Sequence, residues 1–100
     1  MVKMKDYCGK TVSANYMRKM LISKEGVGGK LTFDETGVNF HAHKMNRRIL
    51  DIRIEYVDMK AAEPRGLLNG LNIITKDDTV HMFVISHRKD IIEYLQSKMN

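Results

Sequence analysis

Apolar and polar side chains alternate across residues 28–43, GGKLTFDETGVNFHAH, on both sides of a polar break. Leu31 and Phe33 precede the break, and Val38 and Phe40 follow it. A period of two is typical of strands that bury one face and expose the other. The break, Asp-Glu-Thr-Gly, offers a side-chain acceptor at its start and a glycine at its end, as a tight turn requires. The pattern therefore predicts a β-hairpin.

The same alternation predicts five further strands. They lie around residues 10–22, 50–56, 59–62, 71–75 and 80–84. The first of these segments also contains a helical stripe, but its β-branched opening favours a strand. The apolar phase changes at residues 57–59, which indicates a bend between the fourth and fifth strands. Residues 23–26 are expected to form a polar loop, and Pro64 is expected to end the fifth strand.

The pattern changes to helical spacing at the end of the chain. Residues 87–99, HRKDIIEYLQSKM, place Ile91, Ile92 and Leu95 on one face, and Ser86 is suited to the N-cap. Seven strands followed by one helix predict a mainly β fold. We expect a sandwich or open barrel of antiparallel strands that is capped by the C-terminal helix.

The length of one hundred residues fits a single domain. We expect that domain over residues 10–100, preceded by a disordered or loosely held N-terminus over residues 1–9. The uncharged apolar runs are too short to cross a bilayer, and the first residues lack the apolar segment of a signal peptide. We therefore expect a cytoplasmic protein without a transmembrane segment. The single cysteine, Cys8, cannot form an internal disulfide.

The net charge of +5 is unevenly distributed. Residues 1–50 hold ten Lys and Arg against four Asp and Glu, whereas residues 51–100 hold seven against eight. In an antiparallel meander, the first and third connections lie at the same end of the sheet. The candidate anion-binding cations in these two regions are Arg18, Lys19, Lys24, Lys44, Arg47 and Arg48. They predict a site for phosphate or an anionic headgroup, and the alternative is that they are solvated loop charges.

The remaining polar residues do not predict catalysis. His41 and His43 lie on one face of a strand, but a metal site needs further ligands, and an outward-facing polar stripe is the alternative. No Ser-His-Asp set, activated cysteine or carboxylate pair follows from the spacings, so we expect no enzyme activity, cofactor or metal. Nucleic acid is not favoured as a partner, because the seven aromatic residues are not interleaved with the basic ones.

Eight short motifs follow one another along residues 12–98. They are Ala14-Asn15-Tyr16, Val27-Gly28-Gly29-Lys30-Leu31-Thr32, Gly37-Val38-Asn39-Phe40, His43-Lys44-Met45-Asn46, Ile54-Glu55-Tyr56-Val57-Asp58-Met59, Asn69-Gly70-Leu71, Phe83-Val84-Ile85 and Arg88-Lys89-Asp90-Ile91-Ile92. Their order resembles a small stand-alone GRAM domain of the bacterial type. The resemblance implies the pleckstrin-homology-like (PH-like) fold, with two nearly orthogonal antiparallel sheets of four and three strands and a C-terminal helix.

The resemblance also implies a binding or adaptor function. Some PH-like domains bind phosphoinositides at the end of the sandwich that carries the basic loops, whereas others bind proteins. We expect a protein partner or self-association, because an exposed sheet edge can accept an extra strand. The alternative is peripheral membrane contact, in which the six candidate cations bind an anionic lipid headgroup.

Overall fold

The computed structural model describes residues 6–19, 24–43, 51–67 and 69–99. Its described residues form seven strands and one α-helix. The strands are β1 (Thr11–Lys19), β2 (Lys24–Phe33), β3 (Gly37–Ala42), β4 (Asp51–Glu55), β5 (Met59–Arg65), β6 (Gly70–Thr75) and β7 (Val80–Ile85), and the helix is α1 (Arg88–Lys98). The predicted mainly β fold with a C-terminal helix is confirmed.

The seven strands form one antiparallel sheet in the order β4-β3-β2-β1-β7-β6-β5. β2 and β3 pair as the predicted hairpin, with Leu31 opposite Phe40. β1 and β2 pair from Thr11 opposite Thr32 to Lys19 opposite Lys24. The prediction of a loop over residues 23–26 was therefore wrong for residues 24–26, which belong to β2. The alternation of apolar and polar side chains is hidden in these residues, because the glycine contributes no apolar side chain.

The sheet curls into a half-barrel whose inner face carries the hydrophobic core. The fully buried large side chains are Phe33, Phe40, Phe83, Leu31, Leu71, Ile73, Ile91, Leu95 and Val38. Most of them come from alternate positions of the strands, as the sequence period requires. α1 contributes Ile91 and Leu95, so the helix completes the core.

The bend predicted between the fourth and fifth strands is a short 3₁₀ turn over Tyr56–Asp58. It separates β4 from β5, which continues through Pro64 to Arg65. The prediction that Pro64 ends the strand was wrong. Proline is tolerated at this position because β5 is the outermost of the described strands and pairs with a strand, β6, on one side only.

Residues 6–10 are attached to the domain, unlike the loosely held lead-in expected up to residue 9. Tyr7 is only 4% exposed, and its ring lies 5.2 Å from that of Phe33 and 5.7 Å from that of Tyr94. The backbone N–H of Gly9 donates to Phe33 O at 2.8 Å, and Phe33 N–H donates to Lys10 O at 2.9 Å. A boundary at residue 10 therefore leaves a core side chain outside the domain.

α1 begins after a backbone reversal. His87, and not Ser86, occupies the N-cap position, and its φ of 60° lies in the left-handed region. The side chain of His87 makes no capping hydrogen bond. Arg88 holds the first turn of α1 in place. Its Nη1 donates hydrogen bonds to the carbonyl oxygens of Arg65 at 3.1 Å and Gly70 at 3.1 Å. The start of α1 is thereby fixed to the turn between β5 and β6.

Candidate functional site

β4 is the outermost strand at one end of the sheet. Tyr56 N–H donates to Thr36 O at 2.8 Å, which sets the phase of the ladder between β3 and β4. Along an antiparallel ladder, residues that hydrogen-bond to the neighbouring strand alternate with residues whose backbone groups point away from it. By this alternation, the N–H and C=O groups of Asp51, Arg53 and Glu55 point away from β3. No described strand lies beyond β4. These groups therefore form a free edge that can pair with an added strand.

The opposite edge of the sheet, β5, is less accessible to an added strand. Pro64 lacks a backbone N–H, and the pairing register shifts between Met59 and Ala61. Gln96 of α1 donates a hydrogen bond to Ala62 O at 3.3 Å. Proline, a register irregularity and a covering helix are each known to discourage edge pairing. β4 has none of the three within its described residues.

Arg53 ties β4 to the turn between β2 and β3. Its Nη1 and Nη2 donate to the two carboxylate oxygens of Asp34 at 2.5 and 3.0 Å, and its Nε donates to Glu55 Oε2 at 2.9 Å. The Arg53 guanidinium, helped by the backbone N–H groups of Thr36 and Gly37, holds the pKa of Asp34 well below its ordinary value. Asp34 is therefore ionised at neutral pH, and its ion pair with Arg53 holds β4 to the turn between β2 and β3.

A cleft of about 570 Å³ lies between β4 and the turn that joins β6 to β7. Its lining includes Arg53, Glu55, Asp58, Thr75, Asp77 and His81. Nδ1 of His81 lies 3.1 Å from the hydroxyl of Tyr16, and burial lowers the pKa of His81 below its ordinary value. The His81 ring is thus neutral at pH 7. We call the free edge of β4 and this adjoining space the β4 edge cleft.

The β4 edge cleft is acidic although the chain as a whole is basic. Among the described residues, its carboxylates are Asp51, Glu55, Asp58 and Asp77, and its cations are Arg53 and Lys76. Hydrogen bonds from Thr75 and Thr79 lower the pKa of Asp77. Arg53 is already paired with Asp34 and Glu55. Excess negative charge at this edge favours a partner with positive charge.

The outer face of β7 differs from that of β4. Val80 and Val84 on β7 are 46% and 37% exposed, and Met82 lies between them. The outward positions of β4 are instead charged, with Asp51 and Arg53 exposed. Exposed apolar side chains that share a face are a feature of interaction surfaces. The outer face of β7 is therefore more apolar than that of β4.

The predicted basic site lies largely outside the described residues. Lys44, Arg47 and Arg48 are not among those residues, and for Arg18, Lys19 and Lys24 only the backbone is described. The backbones of Lys19 and Lys24 pair at the far end of β1 and β2. The gathering of the six cations at one end of the sheet therefore stays a prediction.

His41 and His43 occupy the exposed face that the sequence predicts. Nδ1 of His41 lies 2.5 Å from Asp51 Oδ1, so this ring contacts β4. The backbone N–H of His43 donates to Gly28 O at 2.9 Å. Among the residues for which side chains are described, no group of three or more His, Cys, Asp or Glu is arranged to hold a metal ion.

Comparisons with known proteins do not assign a family. No model of a known protein family matches the chain, and no curated protein matches it. Within the described part of the chain, no helix combines the length and the apolar character needed to cross a bilayer. The function is therefore inferred from the residues and their geometry.

Sequence reasoning missed the free edge of β4. The alternation of Asp51, Arg53 and Glu55 with isoleucines predicts a half-exposed strand, but it does not show that the strand is outermost. Strand order depends on pairing between distant segments, which a local pattern does not contain. Pro64 is a local signal of an edge, and it marks β5 at the opposite end.

Proposed function

We propose that this chain is a non-enzymatic interaction module that binds an extended segment of a partner protein along β4. The observation that carries the proposal is the row of outward backbone groups of Asp51, Arg53 and Glu55, which lie beside an open cleft and pair with no other described strand. Added strands gain affinity from main-chain hydrogen bonds, and adjoining pockets select their side chains. The β4 edge cleft offers both kinds of contact on a strand that Arg53 anchors.

We also propose that the fold is that of the PH-like superfamily and that the chain is a domain of the GRAM type. Support comes from the junction between β1 and β7, where only three residue pairs are in register, whereas nine join β1 to β2. Division of the sheet between β1 and β7 gives one group of four strands, β4-β3-β2-β1, and one group of three, β7-β6-β5. The C-terminal position of α1 also agrees with this family.

Headgroup binding by the basic loops is the second candidate function. The order β4-β3-β2-β1 is an antiparallel meander, and it supports the proximity of the end of β1, which carries Arg18, to the connection between β3 and β4, which includes Arg47. Such a site would place the protein at a membrane surface as a peripheral, cytoplasmic component.

The strand-addition proposal is tested with peptides selected from a random phage-displayed library. Glu55 has φ of −80°, which proline can adopt, so Glu55→Pro removes an outward N–H with little backbone strain. Glu55→Ala is the matched control, because it removes the same carboxylate and keeps the N–H. We expect Glu55→Pro to weaken selected peptides at least tenfold more than Glu55→Ala does. Equal binding by both variants, or failure to select any peptide, would contradict the proposal.

A further inference from the structure

The charges along β4 decide which kind of strand can occupy the β4 edge cleft. The outward side chains of this strand read acidic, basic, acidic, at Asp51, Arg53 and Glu55. In an antiparallel pair, opposite charges directly across from one another stabilise the pairing and like charges destabilise it. The sign of the partner's side chains at three alternate positions is therefore a determinant of binding.

A second copy of this chain does not fit the pattern. Full antiparallel pairing of β4 with β4 of another copy sets Arg53 opposite Arg53, and sets Asp51 opposite Glu55 at both ends. A shift of two residues places Arg53 opposite an acid, but it leaves only three described residues of each strand paired. The two pairs of acidic residues, Asp51 opposite Glu55, therefore disfavour the longest register, and the registers without them are short.

The middle position of β4 is already neutralised. Arg53 contacts Asp34 at 2.5 Å and Glu55 at 2.7 Å, so an additional acidic side chain opposite it would meet two carboxylates. Asp51 has a histidine as its described partner, and Glu55 shares the single charge of Arg53 with Asp34. The two ends of the strand are thus where a positively charged residue gains most.

We infer that the β4 edge cleft binds an extended peptide of a partner protein that carries Lys or Arg at two positions four residues apart. The residue midway between them is polar and uncharged, because it faces Arg53 and its carboxylates. The two remaining positions point to the inner face, beside the inward-facing Ile52 and Ile54, and are apolar. This inference rests on the proposed strand addition and adds the chemistry of the partner.

The test uses three synthetic peptides with the same alternating valine and threonine frame. One carries lysines at the two positions, one carries glutamates and one carries threonines. Each is titrated into the ¹⁵N-labelled protein, and the amide shifts of Asp51, Arg53 and Glu55 are followed. We expect the lysine peptide to bind about tenfold more tightly than the glutamate peptide, with the threonine peptide between them. Added salt should reduce the difference.

Variant proteins assign the preference to β4. Asp51→Lys combined with Glu55→Lys should reverse the order, so that the glutamate peptide binds most tightly. Glu63→Lys makes a similar change on β5 and should leave the order unchanged, because Glu63 is exposed on the opposite edge. If the double variant does not fold, the comparison of the three peptides on the wild-type chain still decides the matter.

The possible failures are distinguishable. Equal binding of all three peptides, with shifts at β4, would overturn the charge preference and leave strand addition intact. Shifts confined to Val80 and Val84, or no shifts with any peptide, would overturn both proposals. Dimerisation of the wild-type chain that the lysine peptide competes away would show that the natural occupant is a second copy, contrary to this inference.

Discussion

Substitution of Tyr7 by alanine tests whether the segment before β1 belongs to the core. The side chain is 4% exposed and contacts the rings of Phe33 and Tyr94, with centroids 5.2 and 5.7 Å away. Removal of a buried aromatic ring costs roughly 3–5 kcal/mol, from lost transfer free energy and the cavity that remains. We therefore expect Tyr7→Ala to lower the free energy of unfolding by about that amount.

Urea denaturation, followed by far-ultraviolet circular dichroism, measures this loss. With a denaturant slope near 2 kcal/mol/M, the midpoint should fall by about 2 M. Tyr7→Phe is the matched control, because it keeps the ring and removes only the hydroxyl, and it should shift the midpoint far less. A loss below about 1 kcal/mol for Tyr7→Ala would refute the reasoning. Such a small loss would favour the prediction from the sequence, in which residues 6–9 are loosely held.

Two further predictions concern the turn before β3 and the basic loops. Asp34→Ala should cost about 1–3 kcal/mol, since it loses two backbone hydrogen bonds and the partly exposed pair with Arg53, and Asp34→Asn should cost less. The folded-state pKa of Asp34 is depressed, so its contribution to the free energy of unfolding is present above about pH 4 and is lost at lower pH. The difference in stability between wild type and Asp34→Asn should therefore shrink in acid denaturation curves. If headgroup binding occurs, Arg47→Glu combined with Arg48→Glu should abolish salt-sensitive sedimentation with anionic liposomes. Absence of wild-type sedimentation at low salt would exclude that function.

The hairpin of β2 and β3 was predictable because its determinants are local. Leu31 and Phe33 alternate with polar residues, and Asp34 accepts hydrogen bonds from the backbone N–H groups of Thr36 and Gly37 to close the turn. These contacts span at most three residues, so the sequence contains them directly. The strand content and the C-terminal helix follow from the same kind of local pattern.

The parts that were not predictable depend on distant residues. Tyr7 is a single aromatic residue without periodic neighbours, and its packing against Phe33 and Tyr94 shows that it belongs to the core. The N-cap is His87 and not the expected Ser86, and the first turn is held by Arg88, which donates to carbonyl groups that are distant in the sequence. The charges of Asp51 and Glu55 are visible in the sequence, but their position on a free edge depends on the order of the whole sheet.

β1 comes first in the chain and yet lies between β2 and β7. Ala14 pairs with Gly29 on one side and with Ile85, 71 residues further along, on the other. During synthesis on the ribosome, β1 and β2 can form their hairpin early, whereas the second side of β1 has no partner until β7 emerges. The sheet is therefore completed only after β7 has been made, and contacts of such long range slow folding. The nascent chain exposes an unpaired strand during that interval, which makes chaperone binding or aggregation most probable before β7 docks.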